Sequence, residues 1–166
     1  MADNDPTPPE QPGGVPFRKT AIVGTAPSSR PSAPFPEPGC PFDPKEWDVW
    51  CVGMDPTKIT MGWSRWYEVH HVEYLIDKQN PDYAPGNEIH VRWLKEVSEK
   101  GAHVRLLNPS PLIPKGQLVN REAIIKEWPG PFTREFRNST IAWMMAEAII
   151  EGATEIGLWG VDMALA

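Results

Sequence analysis

Five short apolar runs are spaced along the chain after residue 18, and most of them end at glycine or at polar residues. Runs of this length, rich in β-branched and aromatic side chains, predict buried strands. We predict strands over five ranges, the last of them a central strand: Lys19–Gly24, Trp47–Gly53, Arg65–His70, His103–Leu107 and Glu155–Asp162.

Apolar positions at helical spacing lie between these strands. They predict helices over Asn87–Lys100, over Asn120–Trp128 and over the apolar run that follows Asn138. Asn87 is the expected cap of the first helix, and His90 is expected on its solvent side. In the last helix Glu147 and Glu151 form the only charged strip, which predicts that most of that helix is buried.

Strands that alternate with helices indicate an α/β fold. We predict a Rossmann-like, doubly wound and mostly parallel sheet of about five strands in one domain over residues 18–166. Residues 1–17 are rich in proline and poor in large apolar side chains, so we predict a disordered tail there. Residues 108–137 contain little regular pattern and are long for a connection, which favours a lid or binding loop. Within this stretch Lys115, Arg134 and Arg137 are expected to be able to reach an anionic ligand.

Composition and charge exclude several classes of function. The net charge is −6, so the bulk basic footprint of a nucleic-acid-binding protein is missing. Cys40 and Cys51 do not form a C-x-x-C pattern, and we predict no metal site. No apolar run reaches membrane-spanning length, and the N-terminus has no signal-peptide pattern, so we expect a cytoplasmic protein without membrane contact. Homo-oligomerisation is left open.

The sequence GTAPSSR follows the first predicted strand. Gly24 permits a tight turn, and the next residues supply three hydroxyls and one guanidinium, from Thr25, Ser28, Ser29 and Arg30. This composition is typical of an anion-binding turn at the carboxyl end of a strand. The spacing fits neither G-x-G-x-x-G nor the P-loop pattern, and an ordinary hydroxyl-rich loop is the alternative.

Polar residues also follow other strands or begin the last helix. His70 and His71 end the third strand, and we take His70 as a candidate proton acceptor. Asp162 ends the last strand, where a carboxylate can bind a ribose hydroxyl or act as a base. Ser139 and Thr140 begin the last helix, whose free amides favour an anion. Structural roles are the alternative for each residue.

Two segments resemble a known family. KTAIVGTAPSSR is similar to the opening strand and turn of the Rossmann-like sialyltransferases of bacterial surface glycosylation, of related bacterial and phage domains, and of the hydroxymethylpterin diphosphokinase-like group. NSTIAWMMAEAIIEGATEIGLWGVDM is similar to their second shared block, in which a hydroxyl-bearing turn opens a helix that leads to a G-x-D strand. RWYEVH resembles a third-strand segment of the phage-type members.

The resemblance implies that the first turn and the helix start cradle the nucleotide of an activated donor. It implies a nucleotide or nucleotide-sugar ligand near these residues: Gly24, Thr25, Pro27, Ser28, Ser139, Thr140, Gly160 and Asp162. Ser29 and Arg30 are added as binding candidates because of the anion-binding composition of the turn. The sialyltransferases have asparagine in place of Thr25 and of Gly53, and glycine in place of Ala26. Because family members continue beyond the G-x-D strand, we expect this chain to lack their C-terminal elements.

Three functions fit these observations. The first is a glycosyltransferase-like enzyme that uses a nucleotide-activated donor and an unidentified acceptor, with His70 and Asp162 as the catalytic residues. The second is pyrophosphoryl transfer to a pterin-like alcohol, which needs ATP, a divalent metal and a carboxylate cluster, for which Asp55 and Asp162 are the available residues. The third is a non-catalytic phage accessory protein that sequesters a nucleotide. The need for a divalent metal is left open.

Overall fold

A computed structural model describes residues 19–35, 40–53, 62–81, 83–130, 132 and 139–162 of the chain. The predicted tail and Asp55 lie outside these residues. The described strands are β1 Lys19–Val23, β2 Trp47–Val52, β3 Arg65–Glu68, β4 His103–Leu106, β5 Gln117–Leu118 and β6 Glu155–Trp159. The described α-helices are α1 Val72–Ile76, α2 Pro85–Glu99, α3 Arg121–Glu127 and α4 Thr140–Ile150.

The six strands form one sheet in the order β5-β4-β3-β2-β1-β6, and every neighbouring pair is parallel. The α/β class and the parallel sheet are therefore confirmed, and five of the strands lie where the apolar runs predicted them. The sixth strand, β5, falls in the stretch over residues 108–137 that showed little regular pattern. Two residues are too short to leave a periodic signal, and the pairing with β4 defines this strand.

Helices cover both faces of the sheet, as a doubly wound fold requires. On one face α1, α2 and the β1–β2 connection pack on the strands, through buried residues that include Ala33, Val72 and Leu94. On the other face α3 and α4 pack, through residues that include Ile124, Trp143 and Met144. None of the helices in the described part of the chain is long and apolar enough to span a membrane.

Helix α4 is fixed to the sheet by charged groups as well as by apolar contacts. Glu147 is 2% exposed, and its carboxylate accepts hydrogen bonds from the Tyr67 hydroxyl at 2.7 Å and from the Arg105 guanidinium. The Glu151 carboxylate pairs with the Arg65 guanidinium through two N–O contacts of 2.7 Å each. The charged strip of this helix therefore lies against the sheet, where strand cations neutralise it, while Ile149 is half exposed.

Strand β6 pairs only with β1 in the described sheet, so the prediction of a central strand was wrong. Its apolar sequence indicated burial on both faces, but only parts of it are covered. Ile156 packs with the α4 side of the core and Trp159 with the opposite side, whereas Leu158 is 45% exposed. A short and mostly apolar strand can thus still form an edge of the sheet.

The predicted start of α2 was also wrong. The helix begins at Pro85 after Ala84, because the fixed φ of proline suits the first helical position. Asn87 lies inside the helix, and its side-chain amide donates to the Leu75 carbonyl at 2.9 Å. His90 is fully buried and not on the solvent side, because the Glu68 carboxylate supplies a partner for its ring.

Candidate functional site

The strand order reverses direction beside β1, since β2 follows β1 on one side of it and β6 lies on the other. In parallel α/β sheets the carboxyl ends of the strands at such a reversal leave a crevice between the two connections, and ligands bind there. The turn over residues 24–30 follows β1, and we call it the β1 turn. It meets the end of β6 and the start of α4 at this point. The fold therefore supplies one specific place to look for a ligand.

An open cleft of about 610 Å³ occupies that place, and we call it the first cleft. Its lining residues come from the ends of β1, β2 and β6 and from the first turn of α4: residues 24–26, 52–53, 139–141 and 160–162. Among the residues that the sequence predicted for a nucleotide, six line this cleft, namely Gly24, Thr25, Ser139, Thr140, Gly160 and Asp162. They come together from both ends of the chain.

Close main-chain contacts hold the two sides of the first cleft together. The Gly24 amide donates to the Trp159 carbonyl at 2.8 Å, and the Ala26 amide donates to the Gly160 carbonyl at 2.9 Å. A Cβ atom at Gly24 would lie 2.3 Å from the Gly160 carbonyl oxygen, and Gly160 itself has a φ of +62°. Glycine is required at both positions, because side chains there would force the two strand ends apart.

Gly53 and Thr25 fit together across the same cleft. A Cβ atom at Gly53 would lie 2.4 Å from the Thr25 methyl group, and the φ of Gly53 is +135°. Thr25 and Gly53 therefore pack against each other at this end of the cleft, and a side chain at position 53 would displace Thr25.

Two serines of the β1 turn form hydrogen bonds to the residues that follow β6 and line the first cleft. The Ser28 hydroxyl donates to the Asp162 carboxylate at 2.5 Å. The Gly160 amide donates to the Ser29 hydroxyl oxygen at 2.9 Å. Neither serine lines the cleft in the described residues, so their contacts indicate that they position Asp162 and Gly160.

Pro27 and Arg30 also lie outside the lining of the first cleft. Pro27 is exposed, and Arg30 opens a single 3₁₀ turn over Arg30–Ser32. Burial raises the pKa of the nearby Cys51 thiol to about 12, and the positive charge of Arg30 lowers it by less. Cys51 is therefore an unreactive thiol of the core.

A second cleft, of about 550 Å³, opens at the carboxyl ends of β3 and β4. Its walls combine apolar, aromatic and basic side chains, and none of its described lining residues is acidic: Val69, His70, His71, Tyr74, Leu75, Asn80, Leu107, Asn108, Arg121 and Trp143. His70 belongs to this cleft and not to the first one. The structure thus separates it from the predicted nucleotide residues.

The two clefts lie at neighbouring strand ends. Val52 and Gly53, at the end of β2, line the first cleft, and Val69, which follows β3, lines the second; neighbouring strands lie about 4.8 Å apart in a sheet. On α4, Ile141 lines the first cleft and Trp143 the second. Both clefts therefore open at the same edge of the sheet and border the first turn of α4.

Beneath the second cleft, Glu68 holds two histidines. Its carboxylate contacts the His70 Nδ1 atom at 2.6 Å and the His90 Nε2 atom at 2.9 Å, and it accepts from the His70 amide at 2.9 Å. Burial alone would raise the pKa of Glu68, but the hydrogen bonds from His70 and His90 outweigh it and lower the pKa to about 2. Glu68 is therefore an anion at neutral pH.

The hydrogen bond to Glu68 raises the pKa of His70 above its ordinary value, while partial burial opposes this rise. Since Nδ1 contacts Glu68, the ring nitrogen that a ligand can meet is Nε2. The imidazole is thus oriented by a buried carboxylate at the wall of a cleft. That arrangement suits proton transfer to or from a ligand.

Arg121 lines the second cleft together with His70 and carries a positive charge. Its Nη1 atom donates to the Asn108 side-chain oxygen at 3.2 Å, and the guanidinium lies 5.9 Å from the centre of the Trp143 ring. It has no carboxylate partner among the described residues. An anionic group in the second cleft would therefore meet a cation that is not already neutralised.

Sequence reasoning missed Glu68 and Arg121. Glu68 had a signal, because residues two apart on a strand share a face and Glu68 precedes His70 by two. Arg121 had none, since its place beside His70 depends on how α3 packs. Lys115, Arg134 and Arg137 were the cations that the sequence suggested for this region. The last two lie outside the described residues, and Lys115 lines neither cleft.

Within the described residues, no three histidine, cysteine or carboxylate side chains are grouped so that they could hold a metal ion. The sequence matches no protein-family model, and comparisons with curated proteins and with solved structures give no significant match.

Proposed function

We propose that this protein is a nucleotide-binding transferase of the glycosyltransferase-like kind, with the nucleotide of its activated donor in the first cleft. The observation that carries the proposal is the position of that cleft. It lies where the order of a parallel sheet reverses, between a glycine turn and the start of an 11-residue helix. The resemblance of the same two segments to Rossmann-like sialyltransferases and their relatives supports it.

The groups that line the first cleft can bind the phosphate and the ribose of a nucleotide. The start of α4 offers free backbone amides and the positive end of the helix dipole to a phosphate, with the Thr140 hydroxyl beside them. Asp162 lies at the end of β6, where a carboxylate can accept a hydrogen bond from a ribose hydroxyl. Ser28 fixes that carboxylate in place. We assign Asp162 to donor binding and His70 to proton transfer.

Calorimetric titration with CMP, UDP, GDP and ADP tests the proposal, with two variants as probes. Thr140→Glu adds a negative charge at the first position of α4, which stabilises the helix but repels a bound phosphate. Ala84→Asp adds the same charge at the N-cap of α2, away from the lining of both clefts. We expect at least one nucleotide to bind, and Thr140→Glu to weaken it about tenfold or more.

Ala84→Asp should leave nucleotide affinity unchanged, because only Thr140 lies in the first cleft. No binding by any of the four nucleotides would refute nucleotide recognition. Equal binding by wild type and Thr140→Glu would place the nucleotide elsewhere. If the protein binds a nucleotide sugar tightly and mass spectrometry finds it unchanged after long incubation with candidate acceptors, the non-catalytic nucleotide-binding alternative replaces the transferase.

A further inference from the structure

We propose that the second cleft binds an anionic, hydroxyl-bearing acceptor, with Arg121 holding its carboxylate or phosphate and His70 taking the proton of its hydroxyl. This assignment rests on the proposed transferase function, because it supplies that reaction with its second substrate. It adds a substrate class and two residues, Glu68 and Arg121, that were not among the residues predicted from the sequence.

The charge of the second cleft selects an anion. The whole chain has a net charge of −6, yet the described lining of this cleft contains His70, His71 and Arg121 and no acidic residue. The carboxylate beneath it, Glu68, is already paired with two imidazoles. A guanidinium presents paired N–H donors that match a carboxylate or a phosphate.

The remaining walls suit a ring that carries hydroxyls. Tyr74 is 62% exposed, whereas Trp143 is 1% exposed and supports the Arg121 guanidinium from beneath. The exposed aromatic face of Tyr74, beside polar groups, can cover the apolar face of a ring and leave its hydroxyls to polar partners. Asn108, which accepts from Arg121, has its amide N–H groups available to orient such a ligand.

The positions of the acceptor in the second cleft and of the donor in the first cleft define the reaction step. The acceptor oxygen forms a bond to the anomeric carbon of the donor in the first cleft as His70 Nε2 takes the hydroxyl proton. The bond from that carbon to the nucleotide phosphate oxygen breaks, and the phosphate leaves with the electron pair. The resulting imidazolium is stabilised by Glu68 until the proton passes to solvent. Glu68 acts through His70 and is a positioning residue.

Methyl glucuronide and galactose 6-phosphate are suitable probes, with methyl glucoside as the neutral control. Each is titrated without nucleotide into protein labelled with ¹³C in its four histidines, and the His70 Cε1–H resonance is followed by NMR. The His70→Gln variant identifies that resonance. We expect both anions to shift it, with affinities about tenfold or more above that of methyl glucoside. If only one of the two anions binds, that result shows whether the second cleft recognises a carboxylate or a phosphate.

Two matched variants test the role of Arg121. Arg121→Gln should reduce the affinity for the anionic sugars about tenfold, to that of methyl glucoside. Arg92→Gln removes the same charge from an exposed position of α2 and should leave the affinity unchanged. The proposal is overturned if neither anion shifts the His70 resonance, or if Arg121→Gln and wild type bind them equally.

The pH titration of the same resonance tests Glu68. The groups near His70 are Glu68 on β3, His90 on α2, the neighbouring His71 and Arg121 on α3. We expect the pKa of His70 to fall toward its ordinary value in Glu68→Gln, because the partner of the imidazolium loses its charge. An unchanged pKa would refute the positioning role. Sugar binding without any nucleotide binding would leave this site standing and refute only the transferase.

Discussion

The two clefts differ in what they are made of. The first cleft is built mainly from main chain, by glycines whose contacts bring the ends of β1 and β6 together. The second is built from side chains, with His70 on a carboxylate and Arg121 over an indole. A main-chain site recognises a feature that many ligands share, such as a phosphate. A side-chain site discriminates, because each group can change separately. The difference fits one nucleotide-binding site beside one specificity site.

Helix α4 is the element that both clefts share, so the largest effect should come from the groups that dock it. Glu147→Ala leaves Arg105 and the Tyr67 hydroxyl without their buried partner. We expect a loss of about 3–5 kcal/mol in the free energy of unfolding, measured in urea. Glu155→Ala removes only an exposed partner of Lys19 and should lower the free energy of unfolding much less, because solvent screens an exposed ion pair. Equal losses would show that the buried pair does not fix the helix.

Gly160→Ala affects the first cleft alone. Gly160 and Gly152 both have positive φ, +62° and +85°, but only Gly160 faces main-chain atoms of the β1 turn. We expect both alanine variants to lose about 1–2 kcal/mol for the left-handed backbone, and Gly160→Ala about 1–3 kcal/mol more for the crowded contact. Urea unfolding measures the difference. If the two variants are equally stable, the strand ends are not in close contact.

Ser139→Ala tests the wall of the first cleft more gently. The Ser139 hydroxyl oxygen accepts a hydrogen bond from the Ala142 amide at 3.3 Å and so caps α4. Its removal should lower the free energy of unfolding by about 1 kcal/mol. Ser139→Asp is the control, because aspartate retains the cap and should restore stability while it weakens nucleotide binding. A stable Ser139→Ala variant would exclude the cap.

The smallest effect belongs to the second cleft and depends on pH. Because Glu68 raises the pKa of His70, protonated His70 stabilises the fold below its ordinary pKa of about 6.5, and this contribution is lost as the pH rises through the higher folded pKa. His70→Gln should therefore be less stable than wild type at pH 5.5, by less than about 1 kcal/mol. At pH 8.5 the two should converge. Thermal unfolding at both pH values checks this sign, and a constant difference would contradict it.

The stability that Glu68 contributes should change with pH in the opposite direction to that of His70, because it is lost when the pH falls. The folded pKa of Glu68 lies at about 2, below the ordinary value of 4.5, so its contribution is present above pH 4.5 and is lost as the pH falls toward 2. Unfolding of wild type and Glu68→Gln between pH 5 and 2 measures this. Wild type should lose more stability over that range, and parallel curves would refute the pairing.

The sequence predicted the first cleft better than the second, for a physical reason. Glycines and hydroxyls beside apolar strands are local signals, and parallel strands bring their carboxyl ends to one edge of the sheet. Gly24 and Gly160 could therefore be placed together from the sequence. His70 was found as a strand-end residue, but its separation from Asp162 depends on the order of the strands. That order is set by packing and not by any local pattern.

Buried polar residues were the hardest to predict. His90 was expected on the solvent side, because polar side chains on a helix are mostly exposed. Its partner Glu68 comes from β3, 22 residues earlier in the chain. Glu147 likewise depends on Arg105 and Tyr67. Side-chain pairs of this kind are specified by tertiary contacts, so helical period alone cannot locate them.

The most direct test is one NMR experiment that observes both clefts in the same sample. With ¹⁵N-labelled protein, the nucleotide that binds in calorimetry should shift the amide resonances of Thr25, Ile141 and Val161. Methyl glucuronide, added next, should shift those of His71 and Asn108 and leave the first set in place. We expect these two separate sets of shifts. A single set that responds to both ligands, or no shift in the first set, would contradict the assignment of two separate sites.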